Sequence, residues 1–183
     1  IEHNHSFLVM LFFLWRKIME AYMANLKLTS KENSIERVLQ VKFASSLLDL
    51  ASFIYVSMVK KENQKDYSFL LRADDTVYIT KKDEEESGYY YSDGTYRLLD
   101  NERFINIVLR RPNKLTFEII YIPRQENLVF DIDVSDIALA TGEKDIVFLD
   151  GKGILAGELK EESVSLSSIS EQLEKKFKNR KRI

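Results

Sequence analysis

Apolar positions in the first third of the chain recur at steps of three and four. The repeat starts near residue 34 and runs through Ile35, Leu39, Phe43, Leu47, Leu50, Ile54 and Met58. Steps of three and four place side chains on one face of an α-helix. The pattern therefore predicts one long amphipathic helix over residues 34–60, with its apolar face packed against a sheet.

The apolar period shortens to two after Tyr67, which is typical of β-strands. Turn-forming residues such as Asp93-Gly94 separate the alternating stretches and indicate hairpins. The predicted strands and hairpins cover 67–71 with 76–80, 89–99, 105–109 with 115–122, 128–134, and 145–149 with 154–160. A last stripe, Ile169, Leu173 and Phe177, predicts a short helix. The expected fold class is α+β, with N-terminal helices packed on a mainly antiparallel, hairpin-built sheet and a short C-terminal helix.

The chain opens with an apolar segment that differs in composition from the rest. Phe7–Trp15 reads FLVMLFFLW without interruption, which is too short for a membrane-spanning helix of about 20 residues. Met23 begins a plausible translation start. Residues 1–32 are therefore interpreted as an N-terminal apolar segment, either an addition ahead of that start or a partner-binding segment, and 33–183 as a single α+β domain. The run itself is interpreted as a buried helix or strand or, alternatively, as a segment that binds a membrane surface or a protein partner. If exposed, it would drive self-association.

Composition excludes several kinds of chemistry. The 183 residues contain no cysteine, which removes disulfides, thiol catalysis and cysteine-bound zinc. The two histidines, His3 and His5, lie together near the N-terminus, so a Ser-His-Asp triad is not expected. Lack of cysteine fits a reducing compartment, and we expect a cytoplasmic protein. Catalysis, if present, would depend on carboxylates, lysine, tyrosine or hydroxyl groups.

One short stretch near the C-terminus carries a possible reaction centre. If residues 145–160 form a hairpin that turns at Gly151-Lys152, Asp145 faces Glu158 across the two strands. Opposed side chains hold their Cβ atoms about 4.5–5.5 Å apart, and two carboxylates at that distance favour a shared cation such as Mg²⁺. Lys160 lies on the same strand face as Glu158 and would orient a metal-bound water. The alternative is an ordinary exposed hairpin face in which Lys160 pairs with an acidic neighbour.

This order of Asp145, an apolar hairpin and Glu158-Leu159-Lys160 resembles the PD-(D/E)xK nuclease superfamily, in its Holliday-junction resolvase-like and McrC-like branches. The likeness covers residues 144–176, although Lys144 stands where the family carries proline. The resemblance implies Mg²⁺-dependent hydrolysis of nucleic-acid phosphodiesters. Asp145 and Glu158 would then hold the metal, and all three charged side chains would be catalytic.

Two further charged groups have both a functional and a purely structural interpretation. Asp131, Asp133 and Asp136 could add a metal ligand, or could simply form a polar face or protect a strand edge. A basic tail near the C-terminus could contact nucleic acid or could be a solvated extension. It consists of Lys175, Lys176, Lys178, Arg180, Lys181 and Arg182.

The sequence leaves three functional hypotheses open. The first is a metal-dependent nuclease that uses the acidic hairpin. The second is a non-enzymatic interaction or scaffold subunit, viral or accessory, that associates with itself or with a partner through apolar helical surfaces. The third is a nucleic-acid-binding module that uses the basic tail without cleavage.

Overall fold

The structure is a computed structural model that describes residues 13, 14, 17, 20–30, 34–86, 96–164 and 166–178. Its strands, in chain order, are β1 (Tyr22–Thr29), β2 (Glu36–Lys42), β3 (Tyr67–Ala73), β4 (Thr76–Ile79), β5 (Tyr96–Leu98), β6 (Leu115–Tyr121), β7 (Glu126–Leu139), β8 (Ile146–Lys152), β9 (Ile154–Gly157) and β10 (Lys160–Glu162). The α-helices are α1 (Leu47–Met58), α2 (Lys81–Glu86), α3 (Phe104–Arg110) and α4 (Leu166–Lys178), with 3₁₀ turns at Lys61–Asp66 and Leu99–Asn101.

Eight strands form one sheet in the order β5-β4-β3-β6-β7-β1-β2-β8, and β9 pairs with β10 in a separate two-stranded sheet. Neighbouring strands of the large sheet are antiparallel, except that β5 runs parallel to β4. Helices α1 and α3 supply much of the apolar core on one face of this sheet. Strand residues outnumber helical residues in the described part of the chain.

The expected fold class, with N-terminal helices packed on a hairpin-built sheet, is wrong. Strands β1 and β2 precede α1, and β1 lies inside the sheet between β7 and β2. The sheet therefore begins within the segment 1–32 that the sequence analysis separated from the domain.

The prediction of a long helix over residues 34–60 is wrong in its first half, where the chain forms strand β2. Ile35, Leu39 and Phe43 are four residues apart, a spacing that also fits a period of two. Arg37 and Val41 are buried between them, so the strand alternates buried and half-buried positions. The helix begins only after Ser46, whose side chain accepts a hydrogen bond from the Asp49 N–H.

The predicted hairpin around residues 105–122 is also wrong in its first arm. Residues 105–109 belong to helix α3, which ends at Arg111 in a left-handed conformation (φ 48°). A short apolar run does not distinguish a strand from a buried helix. The strands at 67–71, 76–80, 115–122 and 128–134 and the final helix are confirmed. Asp93-Gly94 and its turn lie outside the described residues.

A buried arginine joins three parts of the fold. Arg37 is 0% exposed, and its guanidinium donates to the carbonyls of Ser57 (3.0 Å), Lys152 (2.5 Å) and Gly153 (2.6 Å). Ser57 lies in the last turn of α1, where carbonyl groups lack helical partners. Burial lowers the pKa of Arg37 to about 10. The side chain thus ties β2 to the end of α1 and to the β8–β9 turn.

Candidate binding groove

The acidic hairpin expected at residues 145–160 does not form. Strand β8 pairs with β2, so that Ile146 lies opposite Val41 and Lys152 opposite Glu36. The chain then turns at Gly153, which has a left-handed φ of 69°, and β9 pairs with β10 instead. The predicted register between Asp145 and Glu158 is therefore wrong.

Asp145 contacts the end of β2. Its side chain lies 3.3 Å from Nζ of Lys42, and its carbonyl accepts the Lys42 N–H at 2.8 Å. The carboxylate is well exposed. The backbone hydrogen bond thus continues the pairing of β2 with β8, and the side chain of Asp145 forms a surface ion pair with Lys42.

Glu158 lies in the β9–β10 turn, with a left-handed φ of 48°. Its carboxylate pairs with Nη2 of Arg124 at 3.4 Å and with Nζ of Lys160 at 3.7 Å. Glu158 and Lys160 thus form an exposed ion pair, whereas Asp145 pairs with a different lysine, Lys42.

The second acidic group is divided by a bulge in β7. Asp131 and Asp133 share the sheet face that α1 and α3 leave open, whereas Asp136 has a left-handed φ of 50° and accepts from Asn25 Nδ2 at 3.2 Å. A register shift between Met23 and Asn25 marks the same irregularity. Within the described ranges, no three His, Cys, Asp or Glu side chains lie close enough to hold a metal ion.

The basic tail is only partly described. Lys175 is an exposed residue of α4, which also includes the positions of Lys176 and Lys178. Arg180, Lys181 and Arg182 lie outside the described residues, so the nucleic-acid contacts remain a prediction.

A different feature stands out in the described part of the chain: a groove of about 520 Å³ between α3 and the far half of β7. We call it the α3–β7 groove. Its apolar lining includes Phe43, Ile105, Ile107, Leu109, Ile132, Val134 and Ile137. Its polar lining is Arg111, Asn113 and Asp133, and the side chain of Asp133 belongs to the opposite face of β7. Binding sites are commonly clefts of about 300–1,000 Å³ with mostly apolar walls and few polar groups. In both size and lining, the groove resembles a ligand or peptide site.

Exposed apolar residues lie on the β7 side of the groove, with Val134 and Ile137 in its lining and Leu139 just beyond them. Val134, Ile137 and Leu139 are 38%, 57% and 64% exposed, respectively. Val134 lies opposite Leu26, and Leu139 opposite Tyr22, so these side chains occupy the helix-covered face of the sheet at its uncovered end. A cluster of exposed apolar side chains on an otherwise polar surface is typical of an interaction site.

In the far half of β7, no described strand pairs with the edge that faces away from β1. Pairing between β6 and β7 stops at Thr116 opposite Asp131, whereas β7 continues to Leu139 along β1. From Asp133 to Leu139, no backbone hydrogen bond to the α3 side is present among the described residues. Unpaired N–H and C=O groups on such an edge can pair with another chain.

The α3 wall of the groove is held firmly at its start. Glu102 is 8% exposed, and its carboxylate accepts from Arg97 Nη1 (2.8 Å) and Asn106 Nδ2 (2.6 Å). Arg110 Nη2 lies 3.4 Å from the same carboxylate, and Nη1 of Arg110 donates to the Tyr78 hydroxyl. Burial alone would raise the pKa of Glu102, but these hydrogen bonds and positive charges outweigh it and lower the pKa. Side-chain hydrogen bonds therefore anchor the α3 wall, whereas backbone pairing with β1 holds the β7 side.

The N-terminal segment enters the fold beside the groove. Tyr22 is the first residue of β1, and its carbonyl accepts the Phe43 N–H at 2.9 Å. The two rings stack with centroids 6.3 Å apart, and Phe43 also lines the groove. Farther upstream, Phe13 and Leu14 are helical and 57% and 54% exposed.

Sequence reasoning did not identify this groove. Residues 105–109 are apolar except for Asn106 and predict a strand where the wall is a helix. The β7 side has the pattern of an ordinary alternating strand. One signal was available. The apolar alternation of β7 continues to Leu139, whereas β6 is too short to pair with it beyond Asp131.

Comparisons with known proteins show a shared fold but no function. No family model and no curated protein matches the chain. Among solved structures, a protein of unknown function, MM3350, from Methanosarcina mazei Go1 is similar, with a TM-score of 0.58 and 14% sequence identity. The likeness covers 89% of this chain and 83% of that one, and at this identity it shows a shared fold alone. No described helix has the length and apolar character needed to cross a membrane.

Proposed function

We propose that this protein is a non-enzymatic interaction module that binds an apolar segment of a polypeptide in the α3–β7 groove. The observation that carries the proposal is the far half of β7. There, exposed apolar side chains and a strand edge that no described strand covers border a cleft, and side-chain hydrogen bonds anchor its opposite wall. The sequence leaves a scaffold or interaction role open, and the groove supplies a surface for it.

The character of the groove favours a polypeptide over a small charged substrate. Its lining is largely apolar, and its charged groups, Arg111 and Asp133, are single residues of opposite sign. A peptide buries apolar side chains in such a cleft and can pair its backbone with a free strand edge. The exposed β7 side chains would then supply most of the apolar contact area.

The nuclease hypothesis has less support from the geometry. It required Asp145 and Glu158 to share a cation, yet each carboxylate is paired with its own lysine or arginine. A Mg²⁺ ion takes one or two protein carboxylates together with several waters, and the carboxylates must converge to share it. We therefore place the interaction function first.

A peptide library displayed on phage tests the proposal even though the partner is unidentified. The full-length protein would be the target, and selected peptides would be resynthesised for affinity measurements. We expect apolar peptides whose affinity falls at least about tenfold, roughly 1.4 kcal/mol, in Ile137→Asp, because a charge there would be desolvated on binding.

Leu149→Asp is the matched control, since Leu149 is an apolar residue with 42% exposure on β8, away from the groove. It should leave peptide affinity unchanged. If no peptide is selected, or if the selected peptides bind both variants as tightly as the unmodified protein, the groove is not the binding surface.

A further inference from the structure

We infer that the occupant of the α3–β7 groove is the C-terminal end of another polypeptide, an apolar tail whose terminal carboxylate pairs with Arg111. The inference rests on the proposed function and deepens it, because it names the part of the partner that binds. The partner is defined by its chemistry, which is an extended and largely apolar segment that ends in a carboxylate.

The open edge of β7 lies in line with β6. Strand β6 is antiparallel to β7, and the pairing begins with Thr116 opposite Asp131. The same register places Lys114 level with Asp133. Beyond that point, no described strand pairs with this edge of Val134–Leu139, although the bulge in β7 bends it. A segment that pairs with the edge would therefore lie in line with β6, over about five or six residues at the rise of a strand.

The loop that joins α3 to β6 closes one end of this line. Its residues Asn113 and Lys114 donate their backbone N–H groups to the carboxylate of Asp74 at 3.3 and 3.0 Å. The Lys114 carbonyl accepts the Asp74 N–H at 2.9 Å. These hydrogen bonds hold the loop directly ahead of Leu115, the first residue of β6. A segment that runs toward β6 must end there or turn out of the sheet, and a chain end needs no turn.

The charge at this end of the groove favours a carboxyl end over an amino end. Arg111 and Lys114 are exposed cations on the loop, and Arg111 also lines the groove. The Asp74 carboxylate contacts the same loop but already accepts two backbone N–H groups. The side chain of Asp133 belongs to the opposite face of β7. A terminal carboxylate is therefore attracted to this end, whereas a terminal ammonium group is repelled.

Two side chains at this end have hydrogen-bond donors without partners. Within the described ranges, neither the guanidinium of Arg111 nor the side-chain amide of Asn113 forms a hydrogen bond or an ion pair, and both residues line the groove. A guanidinium presents two parallel N–H groups that match the two oxygens of a carboxylate. The amide adds further donors. Together the two side chains can hold a terminal carboxylate from the loop side.

The backbone conformation of Arg111 supports a binding role for its side chain. Arg111 follows the last residue of α3 and has left-handed torsion angles, with φ 48° and ψ 59°. Helices commonly carry glycine at such a position, because glycine adopts this conformation without strain. Glycine would, however, leave this end of the groove without its guanidinium. Strained backbone positions are frequent at binding sites, where the side chain is needed for function.

The apolar lining defines the remaining residues of the partner. Alternate side chains of an extended segment point to the same face, and the face toward α3 would meet Ile107, Val134 and Ile137. We therefore expect apolar residues at every second position of the tail and few constraints at the positions between them. Backbone pairing with a sheet edge, combined with pockets for alternate side chains, is an established mode of peptide recognition.

Two peptide libraries test the inference without knowledge of the natural partner. Peptides would be selected on the full-length protein from a library with free C-termini and from one in which the same random stretch lies inside a longer chain. The tightest binders would be resynthesised as C-terminal acids and as C-terminal amides and titrated by fluorescence anisotropy. We expect the tighter binders from the free-end library, and each acid should bind at least about tenfold more tightly than its amide.

Arg111→Gln tests which side chain recognises the carboxylate. It should lower the affinity for the acid at least about tenfold and leave that for the amide nearly unchanged. Asn113→Asp keeps the shape of the side chain but adds a negative charge, so it should also weaken binding of the acid. Arg124→Gln is the matched control, because Arg124 is an exposed arginine between β6 and β7 at the other end of both strands. It should change neither affinity.

The two proposals fail in different ways. Equal binding of acid and amide, or an acid preference that Arg111→Gln leaves intact, overturns the inference. So does the selection of internal peptides with acidic side chains that bind as tightly as any free end. In these cases the proposed function still stands if Ile137→Asp weakens binding. If neither library gives a peptide whose binding depends on Ile137, both proposals are wrong.

Discussion

Strand β7 has two halves with similar sequences and different surroundings. In the first half, Leu128, Phe130 and Ile132 are no more than 6% exposed, because this part of the strand pairs with β6 and the apolar core covers it. In the second half, Val134 and Ile137 continue the apolar pattern but are 38% and 57% exposed. The same alternation is thus core in one half and exposed surface in the other. The difference lies in what the neighbouring elements cover.

We expect the largest difference between the two halves of β7 in the rates of amide hydrogen exchange. Amides of β7 paired with β6 should exchange only through global unfolding, which costs about 5–15 kcal/mol in a typical domain. Amides of Asp133–Leu139 that point away from β1 should exchange at close to the rate of an unfolded peptide. The measurement belongs in dilute solution, where any dimer is dissociated. Strong protection of the outward amides there would mean that the edge is covered within one chain.

Truncating one apolar side chain in each half gives the next largest difference. Phe130→Ala should lower the free energy of unfolding by about 3–5 kcal/mol, because it removes a fully buried ring and leaves a cavity. Ile137→Ala should change it by no more than about 0.5 kcal/mol at low protein concentration, since the side chain is largely solvated. Urea unfolding of both variants measures the contrast. Similar losses would show that the two halves are equally buried.

Acid titration compares the two sides of the groove, since a titratable side chain, Glu102, anchors α3, whereas backbone pairing with β1 holds the β7 side. The lowered pKa of Glu102 means that its contribution is present above the ordinary value of 4.5 and is lost as the pH falls through the native pKa. Glu102→Gln should cost about 1–3 kcal/mol at pH 7 and make the acid limb of stability less steep.

Glu126→Gln is the matched control for this titration because Glu126 is an exposed residue of β7. Its unfolding free energy should follow the same pH dependence as that of the unmodified protein. An unchanged acid limb in Glu102→Gln would show that Glu102 does not anchor α3.

Local patterns in the sequence were sufficient where one structure clearly fitted the spacing. The β3–β4 hairpin around Asp74-Asp75 and the final helix were found because alternation, turn residues and a helical stripe depend on neighbours along the chain. Residues 36–42 and 105–109 were misassigned because their apolar spacing fits both a helix and a strand, and packing made the choice. The exclusion of thiol chemistry needed composition alone.

Strand pairing, by contrast, could not be obtained from the chain alone. The acidic hairpin assumed that 145–149 would pair with the next strand, but β2, about a hundred residues earlier, offered a longer edge partner. Buried Arg37 and the groove likewise depend on residues far apart in the chain. Short-range backbone preferences shape a turn or a helix locally. Whether an apolar face remains exposed depends on where distant elements end. The burial of a residue is decided by all the elements that pack around it.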